Sequence, residues 1–236
     1  MVIRQREKDP LGAMMLDYLQ GQLDVSVEVE STTLEMACMS GAVMFRGYEQ
    51  MDELERTGLD CCQGTVLDVG GGSGCHSLWL QEHGLEVDTL DVSPGCIEVM
   101  RRRGVQHPLH CNFFSHGGTK YTTILMLMNG LGICGTLERL GPLLRHAKKL
   151  LAPGGNLIAD STDLTPLLRG KRVSRRDGQY LGETIFVMKY NEIVSEPFPW
   201  LYIDFAMMQT IAGFNGMQCE QLITFPDGRY LMRIYE

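Results

Sequence analysis

The chain has 236 residues and a net charge of −8, with apolar and charged fractions (44% and 21%) that exclude extensive disorder. The acidic balance argues against a general nucleic-acid-binding surface, and no apolar run approaches the about 20 residues that span a bilayer. Eight scattered cysteines form no C-x-x-C pair, so with no signal peptide visible they read as reduced thiols of a cytoplasmic protein, not as zinc ligands or disulfides.

Residues 1–8 are polar and read as a frayed start. Asp9-Pro10 opens a helix, a cap followed by proline in the first turn. Leu11, Met14, Met15, Tyr18 and Leu19 then recur at helical spacing, and Gly21 can end it. Val25, Val27 and Val29 alternate with polar residues, as a half-exposed strand does. Residues 31–42 give no clear pattern. A helix is expected over about 49–59, after Phe45-Arg46-Gly47-Tyr48.

Val66-Leu67-Asp68-Val69 and Gly70-Gly71-Gly72-Ser73-Gly74 read as a short buried strand, an acid and a glycine-rich turn. The turn opens a helix over about 74–83, with Ser73 as its cap. The dinucleotide fingerprint G-x-G-x-x-G fails in both registers, because Cys75 and Ser77 stand where its third glycine belongs. Asp68 would repel a pyrophosphate and suits a ligand carrying an ammonium group. His76, in the first turn of the helix, reads as structural.

A second strand over 85–90 ends at Asp91, an acid placed to accept both hydroxyls of a ribose. Ser93-Pro94 caps a helix ending at Gly104, with Arg101, Arg102 and Arg103 set favourably against its dipole. A third strand over 105–111 runs into Asn112-Phe113-Phe114. Residues 122–128 are nearly all apolar, as in a central parallel strand, and lead into a glycine-rich loop over 128–135. A helix over about 137–151 ends in Leu150-Leu151-Ala152-Pro153-Gly154-Gly155, a tight reversal before a strand over 156–160.

Residues 161–180 read as a helix and an exposed loop, whose basic run over 171–176 is either solvated or a contact for an acidic substrate. A strand follows over 184–190. Residues 196–202 pack Pro197, Phe198, Pro199, Trp200 and Tyr202 together, a rigid segment suited to wall a substrate pocket, plug the core or make a dimer contact. A helix over 205–212 precedes two strands, 217–225 and 229–235, joined at Pro226-Asp227-Gly228.

The pattern D-x-G-x-G-x-G, carried by Asp68, Gly70, Gly72 and Gly74, resembles the first motif of the class I S-adenosylmethionine-dependent methyltransferases. The LL-x-PGG stretch at this separation, and the closing hairpin, are similar to that family's too. The resemblance covers roughly 45–160 by motif and the remainder by strand pattern. It implies an α/β, Rossmann-like doubly wound seven-stranded sheet of order 3-2-1-4-5-7-6 with a C-terminal antiparallel hairpin. Residues 1–60 would be an N-terminal extension capping the cofactor site, and 61–236 the S-adenosylmethionine-binding methyltransferase domain.

The resemblance also implies roles. Asp68 would lie near the methionine end of the cofactor, with Gly70, Gly71, Gly72 and Gly74 under its ribose and amino acid. Asp91 would meet the ribose, and Val92 would also contact the cofactor. Asn112 stands where the family commonly has an aspartate that accepts from the adenine amine, and Phe113 would pack on adenine or fill the core. Arg46 would pair with the cofactor's carboxylate, and Met128 and Asn129 would line its methyl group. Tyr48, Asn129, Trp200 and Tyr202 are candidates for the acceptor site, and no side chain announces itself as a base. The activity implied is methyl transfer by direct in-line attack on the sulfonium methyl, leaving S-adenosylhomocysteine. A small-molecule acceptor fits the acidic balance better than nucleic acid; no metal or membrane is called for, and oligomeric state stays open. The alternatives are a cofactor-binding protein without transfer activity and a nicotinamide-dependent oxidoreductase.

Overall fold

Apolar runs and glycine turns alternate from about residue 65 to 160, and the chain converts them into successive βα units. The structure, a computed structural model, describes residues 3, 5–170 and 178–236. The basic run at 171–176 lies outside them.

Helix α1 (Pro10–Leu19) is opened by Asp9, whose Oδ1 accepts the Gly12 amide at 3.0 Å. Strands β1 (Ser26–Ser31) and β2 (Ala37–Ser40), short α2 (Gly41–Met44), a 3₁₀ turn at Tyr48–Gln50 and α3 (Glu53–Asp60) follow. The helix expected over 49–59 starts only at Glu53, because the Asp52 side chain accepts the Glu55 amide at 3.0 Å and caps it there. Then come β3 (Thr65–Val69), α4 (Cys75–Glu82), β4 (Glu86–Asp91), α5 (Pro94–Arg103) and β5 (His107–His110). They are followed by β6 (Tyr121–Met126), α6 (Leu137–Leu150) and β7 (Leu151–Thr162). The remainder is α7 (Thr165–Leu168), β8 (Glu183–Tyr190), β9 (Ile193–Val194), β10 (Phe198–Leu201), α8 (Phe205–Phe214), β11 (Gln218–Thr224) and β12 (Arg229–Tyr235).

The seven-stranded sheet runs β5-β4-β3-β6-β7-β12-β11. Its first five strands are parallel, and β12 pairs antiparallel with both β7 and β11, in the expected 3-2-1-4-5-7-6 order. Strand alternation sends Leu67, Leu157 and Ala159 to one face, packed with Leu140, Leu143 and Leu144 of α6 and Met208 of α8. Val66, Leu125 and Ile158 go to the other face, against Leu54 and Leu59 of α3 and Leu80 of α4. Each fully buried leucine contributes about 1.5–3 kcal/mol. The predicted reversal at 151–155 is instead the start of β7, which pairs Leu151 with Tyr121 and then shifts register. Gly155 is needed there, since a Cβ would stand 2.9 Å from the Tyr121 and Thr122 carbonyl oxygens.

A second, antiparallel sheet runs β10-β8-β1-β2, with β9 beside β8. It joins strands from near the N-terminus to strands inserted after β7. The aromatic segment thus contains a strand that its prolines concealed, and Pro199 is tolerated because β10 is an edge that pairs, among the described residues, with β8 alone. Helix α1 fastens this sheet's N-terminal strands to the main sheet. Asp9 Oδ2 accepts the Ser93 hydroxyl at 2.7 Å and the Gly95 amide at 2.9 Å. The helices approach so closely that a Cβ on Gly95 would lie 2.5 Å from Gly12 Cα.

Candidate functional site

Strand order reverses between β3 and β6, and ligands of open α/β sheets bind at the carboxyl ends of strands at such a point. The glycine turn lies there. Gly70, Gly72 and Gly74 have φ of +80°, +57° and +81°, which side-chain-bearing residues rarely adopt. A Cβ on Gly71 would collide with the Thr89 methyl, whereas one on Gly70 would meet nothing within 4 Å. The turn is therefore packed beneath and open on one side. Met15 and Met44 reach over Gly72, their methyl carbons 3.5 and 3.4 Å from where its Cβ would be. Ser73 does not cap α4, as was expected; Gly74 is the cap residue. The Ser73 hydroxyl donates to the Met44 carbonyl instead, and Arg103 donates to Ser73 Oγ and O at 2.7 and 2.8 Å.

The two acids of the motif region differ. Asp68 is 2% exposed and accepts the Ser77 hydroxyl at 2.6 Å, and Ser77 is 2.6 Å from Thr89 Oγ1. Burial raises its pKa, with His76 and then Ser77 acting against that. Asp68 is thus buried beneath the turn, with the Ser77 hydroxyl on one of its carboxylate oxygens. Asp91 is half-buried at the tip of β4, with Oδ2 accepting the Gly72 amide at 2.9 Å and Oδ1 the Ser93 amide at 2.8 Å. Burial pushes its pKa up to about 6, against the pull of those two amides. Next to it, the Val92 carbonyl accepts the Ile3 amide at 2.9 Å.

At the end of β5, Asn112 Oδ1 accepts the Phe114 amide at 3.0 Å, which leaves its NH₂ group and one lone pair for a ligand. Phe113 is 2% exposed and meets the His146 ring edge-on at 5.0 Å, so it fills the core and offers no face to adenine. Arg46 is also buried, and its guanidinium forks onto Glu55 and donates to the Val43 carbonyl. It is thus not free for a cofactor carboxylate. Glu55 is shared with His76 Nε2 at 2.9 Å, and these bonds outweigh burial and hold its pKa near 2. Tyr48 lies elsewhere, stacked on Trp79 of α4 at 4.7 Å and donating to Asp60 at 3.0 Å, which removes it from the acceptor candidates.

The loop after β6 is backbone-strained. Met128 and Asn129 are both left-handed, with φ of +60° and +59°, an arrangement that costs on the order of 1–3 kcal/mol per residue. Three contacts of Asn129 hold it. Its amide donates to both Asp160 oxygens at 2.8 and 2.9 Å, its Nδ2 donates to the Leu201 carbonyl at 3.1 Å, and its Oδ1 accepts the Ser161 hydroxyl at 3.0 Å. So placed, Asn129 positions the loop after β6. Met128 is exposed at the rim, its Sδ 3.3 Å from the Arg46 guanidinium. Trp200 packs its indole on Gly132 of the same loop, where any Cβ would collide with it. Tyr202, half-buried, has its pKa raised by burial and by the charge of Asp160.

Asp160 and Glu55 escaped the sequence reading. Asp160 follows Leu157-Ile158-Ala159 as Asp91 follows its own strand, so the signal was present. Burial pushes the Asp160 pKa up to about 7, opposed by the Asn129 and its own amides. Glu55 carried no signal beyond being one acid on an exposed-looking helix. Among the described residues no cluster of three or more metal-ligating side chains occurs, and no helix is long and apolar enough to cross a membrane.

A family model described as "Methyltransferase domain" matches residues 66–155. No curated protein matches in sequence. Among solved structures, an S-adenosylmethionine-dependent methyltransferase from Bacteroides fragilis, in complex with S-adenosyl-L-homocysteine, is 40% identical with a TM-score of 0.89. The match covers 99% of this chain and 97% of that one. The CcbJ methyltransferase from Streptomyces caelestis is 16% identical with a TM-score of 0.60, over 80% and 94% of the two chains, and shares the fold.

Proposed function

The chain belongs to the class I S-adenosylmethionine-dependent methyltransferases, with S-adenosylmethionine as its cofactor, and we propose that it methylates a small molecule by direct in-line attack. The residues fit the cofactor on two counts. The glycine turn is open above Gly70, and the raised Asp91 carboxyl has spare acceptor capacity for the two ribose hydroxyls. Gly70, Gly71, Gly72 and Gly74, Asp91, Val92, Asn112 and Met128 would hold it. When bound, the cofactor supplies an electrophilic methyl group on a sulfonium centre.

The chain's part is positioning and the exclusion of water. Asp91 orients the ribose, the left-handed turns let backbone approach the ligand, and Asn129 fixes the loop on the reactive side. The observation that carries the small-molecule reading is the second sheet over the acceptor side. Its edge strand β10 brings Trp200 onto Gly132, and Tyr202 follows it beside Asp160. A reactive edge overhung in this way suits a small acceptor better than a nucleic-acid strand or a folded protein. Cell extract incubated with methyl-labelled S-adenosylmethionine, then split into small-molecule, protein and RNA fractions, tests this. Label is expected in the small molecules; label confined to protein or RNA would refute the reading.

A further inference from the structure

We infer that the methyl acceptor is a primary or secondary amine and that Asp160 holds its ammonium form and takes its proton, an inference that rests on the small-molecule reading above. Asp160 lies toward the carboxyl end of β7, next to the strained loop after β6 and thus on the acceptor side of the strand-order reversal. It is 8% exposed. Among the described residues the donors reaching its carboxylate are one shared amide, that of Asn129, and its own. A buried carboxylate with acceptor positions to spare is unfavourable unless a cation or further donors complete it.

No described side chain does so. Glu55 on α3, His76 on α4 and Tyr202 after β10 are the titratable groups bearing on Asp160. The Arg46 guanidinium is already neutralised by Glu55, which takes His76 as well. Asp160 thus lacks a cation of its own, and the half-buried rings of Trp200 and Tyr202 belong to the same side of the site. An ammonium group meets that demand, since it donates to a carboxylate and is attracted to aromatic faces. A metal ion does not, for want of further ligands among the described residues.

The chemistry balances. The bound ammonium gives one proton to Asp160, and the freed nitrogen lone pair forms the new N–C bond as the C–S bond breaks. The bonding pair goes to sulfur, which becomes a neutral thioether; the methylated amine departs as an ammonium ion, and the proton on Asp160 returns to water. Burial raises the proton affinity of Asp160 above that of an exposed carboxylate, which suits it to take a proton from an ammonium group but leaves it far too weak a base for an alcohol.

The test uses the full-length protein, methyl-labelled S-adenosylmethionine and the small-molecule fraction of a cell extract, untreated or treated with N-hydroxysuccinimidyl acetate to block amines. Labelling is expected only in the untreated fraction, and Asp160→Asn is expected to cut it by about 10²–10⁴-fold while binding S-adenosylhomocysteine as the wild type does. Labelling that survives amine blocking, or that Asp160→Asn leaves intact, overturns the inference and spares methyl transfer itself. No small-molecule labelling from either fraction, with ligand binding intact, overturns both. Should Asp160→Asn fail to fold, amine blocking alone decides.

Discussion

Lowering the pH through 6 should loosen cofactor binding in the wild type and leave the pH dependence of an Asp91→Asn variant nearly flat. Ribose hydroxyls donate best to an ionised acceptor, and Asp91 in the free protein is half-protonated near 6. At pH 5 only about a tenth of the free protein carries the ionised form, so affinity should fall roughly tenfold from its value at pH 7. At pH 7.5 the asparagine keeps one acceptor oxygen but loses the charge, which should weaken binding by about 1.5–3 kcal/mol. Calorimetric titration of S-adenosylhomocysteine from pH 5 to 7.5 reads both effects. A wild-type affinity unchanged over that range, or an equal slope in the variant, would refute the assignment. Stability without ligand runs the other way. The folded value lies above the ordinary 3.8, so the folded chain binds the extra proton, a contribution of up to about 3 kcal/mol. It is fully present below about pH 4 and lost as pH rises through 6.

Three further perturbations probe the scaffold. Glu55→Gln removes the charge shared by Arg46 and His76 and should destabilise by about 3–5 kcal/mol in urea denaturation; because the folded pKa of Glu55 is depressed to about 2, its wild-type contribution is present above about 4.5 and lost as pH falls toward 2. Gly95→Ala forces α1 off α5 and should cost about 1–3 kcal/mol in the same assay, with Asp9→Ala, which loses a cap and two buried bonds, costing at least as much. Gly132→Ala must displace the Trp200 indole, so in a Trp79→Phe background its emission should shift red and methyl transfer should fall, with cofactor affinity retained.

The main sheet was legible because most of its parallel strands carry an apolar stretch closed by a glycine, an acid or an asparagine, while their order came from the motif's likeness to a known family. So was the place of Asp91 at the tip of β4. The second sheet was not, because its pairings join β1 to β8 across more than half the chain and because Pro199 made an edge strand read as a rigid loop. What the chain order did not show was each site residue's partners, because a motif places a residue along the chain but says nothing of what that residue meets. Arg46 found Glu55, Asn129 found Ser161 and Leu201, Asp68 found Ser77, and Phe113 found the core. Asp160, by contrast, became conspicuous only through what it lacks.

The most direct test of the site as a whole is a crystal structure of the full chain with S-adenosylhomocysteine. The ligand is expected over the turn at Gly70–Gly74, with both ribose hydroxyls donating to the Asp91 carboxylate and the sulfur facing the Met128–Asn129 loop. A ligand seated elsewhere, or a ribose whose hydroxyls turn away from Asp91, would contradict it.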